Sequence, residues 1–283
     1  MATFNNFATL SYSGGTSTSN TVTGEILSAL SSTKTAVVDD YTAKDDVTYV
    51  ITLLNSSNAP LTNVTIEDDL GGYLFDGTTV YPLTYTAGSA RLYINGTLQP
   101  APSVSAGPPL LISGITIPAG GNAIVIYEAT VTAYAPLASE STITNTAEIT
   151  ADGLSSPVIV SEIINTEDRA DLSISKSVCP SVVSENGVLT YTFVIENQGN
   201  TDAVATDNVV LTDTFSPILN PITVTFNGTP WTEDVEYTYD EATGLFTTIA
   251  GEITVPAATF TQASNGTWTV TPGTSVLTVS GVV

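Results

Sequence analysis

The sequence contains no histidine, a single cysteine and only five basic residues among its 283. Without histidine, the usual general base of serine and cysteine hydrolases is missing, and so are histidine-based zinc and haem sites. The lone Cys179 excludes an internal disulfide and a thiolate metal cluster. These absences argue against an enzyme and against a bound metal or other cofactor.

Basic charge is scarce and acidic charge is abundant. The 28 Asp and Glu residues against 5 Lys and Arg residues give a formal net charge of −23. Nucleic acids and anionic membranes attract proteins through Lys and Arg, so neither is an expected partner. No segment approaches the roughly 18 uninterrupted apolar residues of a membrane span, so we expect none.

The residues that are present favour β-structure. Apolar residues make up 42% of the chain and charged residues only 12%, which is far from the composition of a disordered protein. Apolar and polar residues alternate in segments such as Val47 to Leu54, Ile124 to Val131 and Leu189 to Glu196. Several short strands separated by turn residues are typical of a β-sandwich, so an all-β fold is predicted.

Two parts of the chain repeat each other. The segment that begins at Thr33 aligns with the segment that begins at Ser175, at a constant offset of 142 positions. After an insertion of three residues, Val64 aligns with Val209. The sequence therefore predicts two tandem β-sandwich domains, at residues 31–168 and 169–283, after an N-terminal segment of residues 1–30. The matched pairs are Lys34 and Lys176, Tyr49 and Tyr191, Asn55 and Asn197, and Asp68 and Asp213.

The two copies end differently. Copy one closes with a predicted strand from Ile143 to Gly153, which has no counterpart at the end of copy two. The N-terminal stretch from Phe4 to Gly14 matches that strand without gaps at an offset of 139. Alternation along a strand places every second residue on one face. That face carries Phe4, Asn6, Ala8, Leu10 and Tyr12, which correspond to Ile143, Asn145, Ala147, Ile149 and Ala151.

A sandwich without its last strand exposes unpaired backbone groups and apolar core residues. A strand from another chain can pair with that edge and fill the vacated pockets. A head-to-tail contact of this kind generates an open filament when it does not close into a ring. We therefore predict that the N-terminal segment is a donor strand that completes the second domain of the next subunit. The alternatives are that residues 1–30 complete their own chain or form a disordered leader.

The matched residues resemble the conserved-repeat family of bacterial and archaeal surface domains. The resemblance is carried by the four matched pairs above, followed by a Pro-Ala-Gly and an Asn-x-Ala motif. Copy two lacks the Asn-x-Ala motif, which occurs instead at Asn6 to Ala8. The resemblance implies that both domains are Ig-like and occur in cell-wall or appendage proteins. The split layout is similar to that of self-assembling, pilus-like subunits completed by a neighbour's strand.

Two of the five basic residues occupy equivalent positions, and two asparagines lie on predicted core faces. Unpaired polar groups in a core cost several kcal/mol, so a buried amine beside a buried amide needs an explanation. One explanation is a Lys–Asn isopeptide bond with a carboxylate as proton shuttle, as in Gram-positive pilin domains. The alternative is ordinary hydrogen bonding, or a lysine with its amine in water. The candidates are Lys34, Asn145 and Asp68 in copy one, and Lys176, Asp213 and the next subunit's Asn6 in copy two.

Acidic pairs suggest a weaker hypothesis, a calcium site. Asp39-Asp40 and Asp45-Asp46 have no acidic counterparts in copy two, and no Asp-x-Asp-x-Asp spacing is present. We interpret them as solvated turn residues and predict no metal site.

The prediction is a structural, non-enzymatic subunit of an extracellular filament on a cell or spore surface. The first fifteen residues lack a basic start followed by an apolar run, so we expect no secretory signal. A mature form, or assembly on a spore released by lysis, would account for export. The alternative is a monomeric adhesin or S-layer-associated module with a carbohydrate or host-surface ligand.

Overall fold

The structure, a computed structural model, describes residues 2–26 and 29–283. Apart from one turn of 3-10 helix at Ala205–Asp207, all regular elements in this part of the chain are strands, which confirms the all-β prediction. Residues 1, 27 and 28 of the predicted N-terminal segment lie outside it. None of the described helices is long and apolar enough to cross a bilayer. The chain divides into two compact units: unit 1 comprises the described residues up to Thr132 with Ile143–Ile164, and unit 2 comprises Ala133–Thr142 with Asn165–Val283.

Residues 2–26, which we call the arm, form a β-hairpin. Strands β1 and β4 pair antiparallel, and so do β2 and β3, with a turn at Ser13 and Gly14. Among the described strands these four pair only with one another. The strands are β1 (Ala2–Asn6), β2 (Thr9–Tyr12), β3 (Gly15–Thr18) and β4 (Val22–Ile26).

The predicted single strand from Phe4 to Gly14 is interrupted at Phe7 and Ala8. Asn6 pairs with Val22 and Thr9 pairs with Thr18, so two residues on one side oppose three on the other. The Ala8 N–H donates to the Ser19 hydroxyl at 2.9 Å instead of to a backbone carbonyl. This bulge bends the hairpin, and its cause is a side chain that takes a place in the backbone ladder.

Unit 1 is a sandwich of two antiparallel sheets. One sheet has the order β13-β12-β16-β7-β5, and the other has β14-β15-β8-β17-β18-β6. With β5, β7, β8, β12, β16, β17 and β18 as strands A to G, the sheets are A-B-E-D and C-F-G, the immunoglobulin arrangement. The strands are β5 (Leu30–Ala36), β6 (Asp40–Tyr41), β7 (Asp46–Asn55), β8 (Leu61–Asp68), β9 (Tyr73–Phe75), β10 (Thr78–Val80), β11 (Leu83–Tyr85), β12 (Arg91–Ile94), β13 (Thr97–Leu98), β14 (Ser103–Ser105), β15 (Leu110–Ile117), β16 (Asn122–Val131), β17 (Thr142–Asp152) and β18 (Val158–Thr166).

Unit 2 repeats the A-B-E-D sheet but not the C-F-G sheet. Its larger sheet has the order β19-β20-β28-β22-β23, and its smaller sheet has only β21-β25-β24. Strand β21 carries Asp213, the match to Asp68 on strand C of unit 1, so β21 is strand C. The strands are β19 (Leu172–Cys179), β20 (Val188–Asn197), β21 (Thr212–Thr214), β22 (Ile222–Phe226), β23 (Thr229–Trp231), β24 (Tyr237–Asp240), β25 (Leu245–Thr248), β26 (Thr259–Gln262), β27 (Trp268–Thr271) and β28 (Gly273–Val282).

The strand pairing shows that the two units are copies of one design. Lys34 lies opposite Ile51, and Lys176 lies opposite Phe193. The two lysines and the two residues opposite them are therefore separated by the same offset of 142 positions. An Asn-Gly hairpin turn is also present in each unit, between β12 and β13 and between β22 and β23. At Asn95 and Asn227 φ is 48° and 49°, the left-handed conformation that such tight turns require.

The cores follow from alternation along the strands. In β7 and β20 every second side chain is buried, as their alternating apolar residues predict. Each of these strands ends in a fully buried asparagine, Asn55 or Asn197. The two amides donate to the carbonyls of Ala59 and Thr201 at 2.8 Å and so hold the following loop in place.

Candidate functional site

The candidate site of unit 1 is a polar cluster between its two sheets. Lys34 lies on β5 and Tyr127 on β16 in one sheet, whereas Asp68 ends β8 and Asn145 lies on β17 in the other. All four residues are buried, with Asp68, Tyr127 and Asn145 at 0% exposure and Lys34 at 4%. The sequence-predicted triad of Lys34, Asp68 and Asn145 is therefore brought into one cluster. We call these four residues the closed cluster.

Hydrogen bonds connect the closed cluster in a chain. The Lys34 Nζ donates to Asp68 Oδ2 at 2.7 Å, and the Tyr127 hydroxyl donates to the same oxygen at 2.5 Å. The Asn145 Nδ2 donates in turn to the Tyr127 hydroxyl at 3.3 Å. Asp68 Oδ2 therefore accepts hydrogen bonds from the amine and from the hydroxyl. The hydroxyl in turn accepts a hydrogen bond from the side-chain amide.

Burial shifts the pKa of two of these groups. Removal from water lowers the pKa of Lys34, while the charge of Asp68 opposes that shift. Burial also raises the pKa of Tyr127 well above its usual range, so this residue keeps its hydroxyl proton. A lysine with a lowered pKa is a better nucleophile because more of it is present as the neutral amine.

The amide of Asn145 is only half satisfied. Its Oδ1 is buried and has no hydrogen-bond partner among the described residues. A buried carbonyl without a partner costs about 1–3 kcal/mol. Asn145 is thus an unfavourable residue for a core position. Its amide nitrogen is directed at Tyr127.

Unit 2 contains half of the same cluster. The Lys176 Nζ forms an ion pair with Asp213 Oδ2, as Lys34 does with Asp68. Its amine also lies over the rings of Tyr191 and Phe215, at 4.6 Å and 5.6 Å from their centroids. The side chain of Lys176 is nevertheless 40% exposed, whereas that of Lys34 is 0% exposed. The predicted pair is formed, but it is open to solvent.

Two components of the closed cluster have no equivalent in unit 2. Tyr127 pairs with Tyr49 across β16 and β7, and Val279 takes that place opposite Tyr191. No strand within residues 2–26 and 29–283 occupies the place of β17 beside β21 in unit 2, so no asparagine faces Lys176 from that direction. The carboxylate and amine are present, and the amide and the hydroxyl are not.

The solvent exposure of Lys176 is shared by the whole of β19. All eight residues of this strand are exposed. At the same positions in unit 1, Leu30 is 2% exposed, whereas its counterpart Leu172 is 36% exposed. We define the open face of unit 2 as the free edge of β21 together with Leu172, Ile174, Lys176 and Val178 of β19.

The predicted donor residues lie in the arm and are exposed. Phe4, Leu10 and Tyr12 have 50%, 67% and 63% of their surface exposed, and Asn6 and Ala8 are exposed as well. Four of their five counterparts on β17 are almost fully buried instead: Ile143, Asn145, Ala147 and Ile149. The same residue pattern is therefore buried in unit 1 and exposed in the arm.

Sequence reasoning missed Tyr127, the residue that links Asp68 to Asn145. The repeat comparison selects residues that recur in both copies, and Val279 stands at the matching position in copy two. The alternating run from Ile124 to Val131 could have identified Tyr127 as a core residue, but not its hydrogen-bond partners.

Other candidates of the sequence have structural roles. Asp45 accepts hydrogen bonds from the backbone and hydroxyl of Thr42, as expected for a turn carboxylate. Across the described residues, no group of three or more His, Cys, Asp or Glu side chains is arranged to hold a metal ion.

No family model matches the chain, and no curated protein matches it. Among solved structures, a family 123 glycoside hydrolase from Clostridium perfringens aligns at 11% identity and a TM-score of 0.32, over 50% of this chain and 28% of that one. The chain thus spans little more than a quarter of that enzyme. The major pilin subunit BcpA of Bacillus cereus aligns at 13% identity and a TM-score of 0.37, over 96% of this chain and 73% of that one.

The pilus backbone RrgB of Streptococcus pneumoniae aligns at 10% identity and a TM-score of 0.35, over 86% of this chain and 55% of that one. At TM-scores this low, the likenesses carry no argument about function. The resemblance to the conserved-repeat family stays a prediction.

Proposed function

We propose that this chain is a structural, non-enzymatic subunit of an extracellular filament that polymerises head-to-tail by strand donation. The arm of one subunit completes unit 2 of the next. The observation that carries the proposal is the contrast between β17 and the arm, which share a residue pattern that is buried in one and exposed in the other. The spore surface considered above gains no support from the geometry.

The energetics favour such a contact. Transfer of Phe4, Leu10 and Tyr12 from water into a core would contribute about 1.5–3 kcal/mol each. Pairing with the free edge of β21 would satisfy backbone groups that now face solvent.

We propose further that the closed cluster forms an isopeptide bond. Lys34 transfers a proton to Asp68, and its neutral amine attacks Cγ of Asn145. The C–Nδ2 bond breaks, and the proton held by Asp68 reaches the departing nitrogen through the Tyr127 hydroxyl. A second proton passes from the Lys34 nitrogen to the freed carboxylate of Asp68, which ends the step protonated. The products are a Lys–Asn amide and one ammonia, so the step needs no oxidant or co-reactant.

In unit 2 the corresponding bond would join Lys176 to the next subunit's Asn6, with Asp213 as the proton shuttle. Asn6 matches Asn145, and Lys176 already pairs with Asp213. Because Val279 replaces the tyrosine, this bond would form without a hydroxyl relay and therefore more slowly than the bond in unit 1.

Deletion of residues 2–14 tests the filament proposal. The deletion should abolish the filaments seen by negative-stain microscopy while the chain remains folded by circular dichroism. Full-length protein that stays monomeric after refolding would overturn the proposal. A deletion variant that still forms filaments would overturn it as well.

Mass measurement tests the cross-links separately. The monomer should be lighter than its sequence by one ammonia, and Asn145→Ala should restore the sequence mass. Filaments of the unchanged chain should resist boiling in detergent. Asn6→Ala filaments should also assemble, but the same treatment should separate them into monomers. An unchanged monomer mass would refute the bond in unit 1 and leave the filament proposal standing.

A further inference from the structure

We propose that the donor is the whole arm, a two-stranded hairpin, and not one strand. In this arrangement β1 and β2 take the place of β17 in unit 2 of a second copy, and β3 and β4 take the place of β18. The inference rests on the proposed filament function and specifies its interface. The occupant is residues 2–26 of another copy of this chain, and the site is the open face.

First, two strands are missing from the described part of unit 2. In unit 1 the sheet continues from β8 through β17 to β18. In unit 2 the equivalent strand β21 is the end of its sheet, with β25 on one side and no described strand on the other. Both F and G are therefore missing from the described part of unit 2, whereas the sequence comparison revealed only the absence of F.

Second, strand G covers strand A in unit 1. In unit 1 the Ala36 N–H on β5 donates to the Glu162 carboxylate on β18 at 3.2 Å. The β5 residues Leu30 and Lys34 are buried, whereas the whole of β19 is exposed in unit 2. A single donated strand beside β21 would fill the place of F and leave β19 uncovered. Covering β19 requires the second strand.

Third, the arm already has the form of a two-stranded hairpin. Residues 2–12 of β1 and β2 match the eleven residues of β17 in length, and β3 and β4 run back beside them. The apolar side chains of the arm are exposed in both halves, with Phe4 at 50% and Val22 at 56%. The Phe4 ring lies over Gly24 within the arm, but no described strand outside the arm pairs with the hairpin. Its two strands equal the number that unit 2 lacks.

A disulfide staple across the arm tests the inference. Ser11 and Thr16 lie opposite each other and alternate with the donor residues, so their side chains point away from the donor face. The variant S11C/T16C is made in a Cys179→Ser background, which removes the one native thiol. A staple at Thr9 and Thr18, also directly opposite, is made in parallel for the case in which the first pair impairs folding.

Filament growth of the oxidised and reduced forms is then compared by sedimentation and negative-stain microscopy. If the hairpin enters intact, both forms polymerise at about the same rate. If the arm must open into one extended strand, the oxidised form stays monomeric while the reduced form polymerises, which overturns the hairpin inference alone. If the Cys179→Ser parent also stays monomeric, the filament proposal fails, and the hairpin inference fails with it.

Discussion

The two lysine–aspartate pairs of this chain differ in what surrounds them. Lys34 and Asp68 are sealed between two sheets, next to Tyr127 and Asn145. Lys176 and Asp213 form the same ion pair at the same strand positions, but with 40% and 19% of their side chains exposed. Unit 1 has the hairpin of β17 and β18 and the Tyr127 hydroxyl on β16, whereas the described part of unit 2 lacks that hairpin and has Val279 at the position of the tyrosine. The burial of a charged pair is thus controlled by strands remote in sequence.

Substitutions at matched hairpin positions should show the largest contrast. Ile149→Asp places an unpaired charge at a position with 0% exposure, so unit 1 should lose its cooperative unfolding transition. Leu10→Asp changes a side chain that is 67% exposed and should alter monomer stability by only about 0.5 kcal/mol. Calorimetry of both variants measures the contrast.

The same Leu10→Asp variant should form no filaments, because the donated residue must enter an apolar core. Thr9→Asp, on the other side of the strand, is the control and should still polymerise. Equal loss of filaments in both variants would contradict this expectation. It would show that any added charge in the arm prevents assembly, whichever face of the strand carries it.

Removal of the carboxylates should give the next largest difference. In chain that has not formed the cross-link, Asp68→Ala leaves Lys34 buried without its ion-pair partner, at a cost of about 3–5 kcal/mol. Asp213→Ala affects a pair that water reaches, so the monomer should lose about 0–1 kcal/mol. Chemical denaturation measures both values. Similar losses would mean that the open pair is buried in the monomer too.

The pH dependence of unit 1 should give the smallest effect. Burial lowers the pKa of Lys34 in the folded chain below 10.5, its ordinary value. At pH values between the folded and the unfolded pKa, the unfolded chain therefore binds more protons than the folded chain. The free energy of unfolding of uncross-linked unit 1 should therefore rise with pH through that interval. Denaturation series up to about pH 9.5 avoid the tyrosines, which titrate near 10 when unfolded.

Lys34→Met is the matched control for this measurement, since it keeps the apolar stem and removes the amine. Its unfolding free energy should be flat over the same interval. A slope that persists in this variant would assign the pH dependence to another group.

Much of the fold could be predicted because the same residues recur in both copies of the repeat. Lys34, Asp68, Asn55 and their counterparts recur at fixed offsets, and the structure gives them the same partners in both units. Alternation along β7 and β20 also identified the core, because burial on one face of a strand leaves a period of two.

The arm's second strand could not be predicted in this way. Strand β18 reads VIVSEIINT, and β3 and β4 read GTST and VTGEI, which share too few residues to align. In the proposed arrangement only backbone pairing relates these segments, and backbone pairing leaves little trace in side-chain identity. The bulge at Ala8 was missed for a related reason, since it depends on one Ser19 hydroxyl.

The scarcity of basic residues has a consequence for durability outside the cell. Trypsin-like proteases cut after Lys and Arg, and the whole chain presents only five such residues. Lys34 is buried, and if both proposed bonds form, Lys34 and Lys176 are acylated and no longer recognised. Lys44, Arg91 and Arg169 would then be the remaining cleavage points in each subunit, so the chemistry that joins subunits would also shield them from digestion.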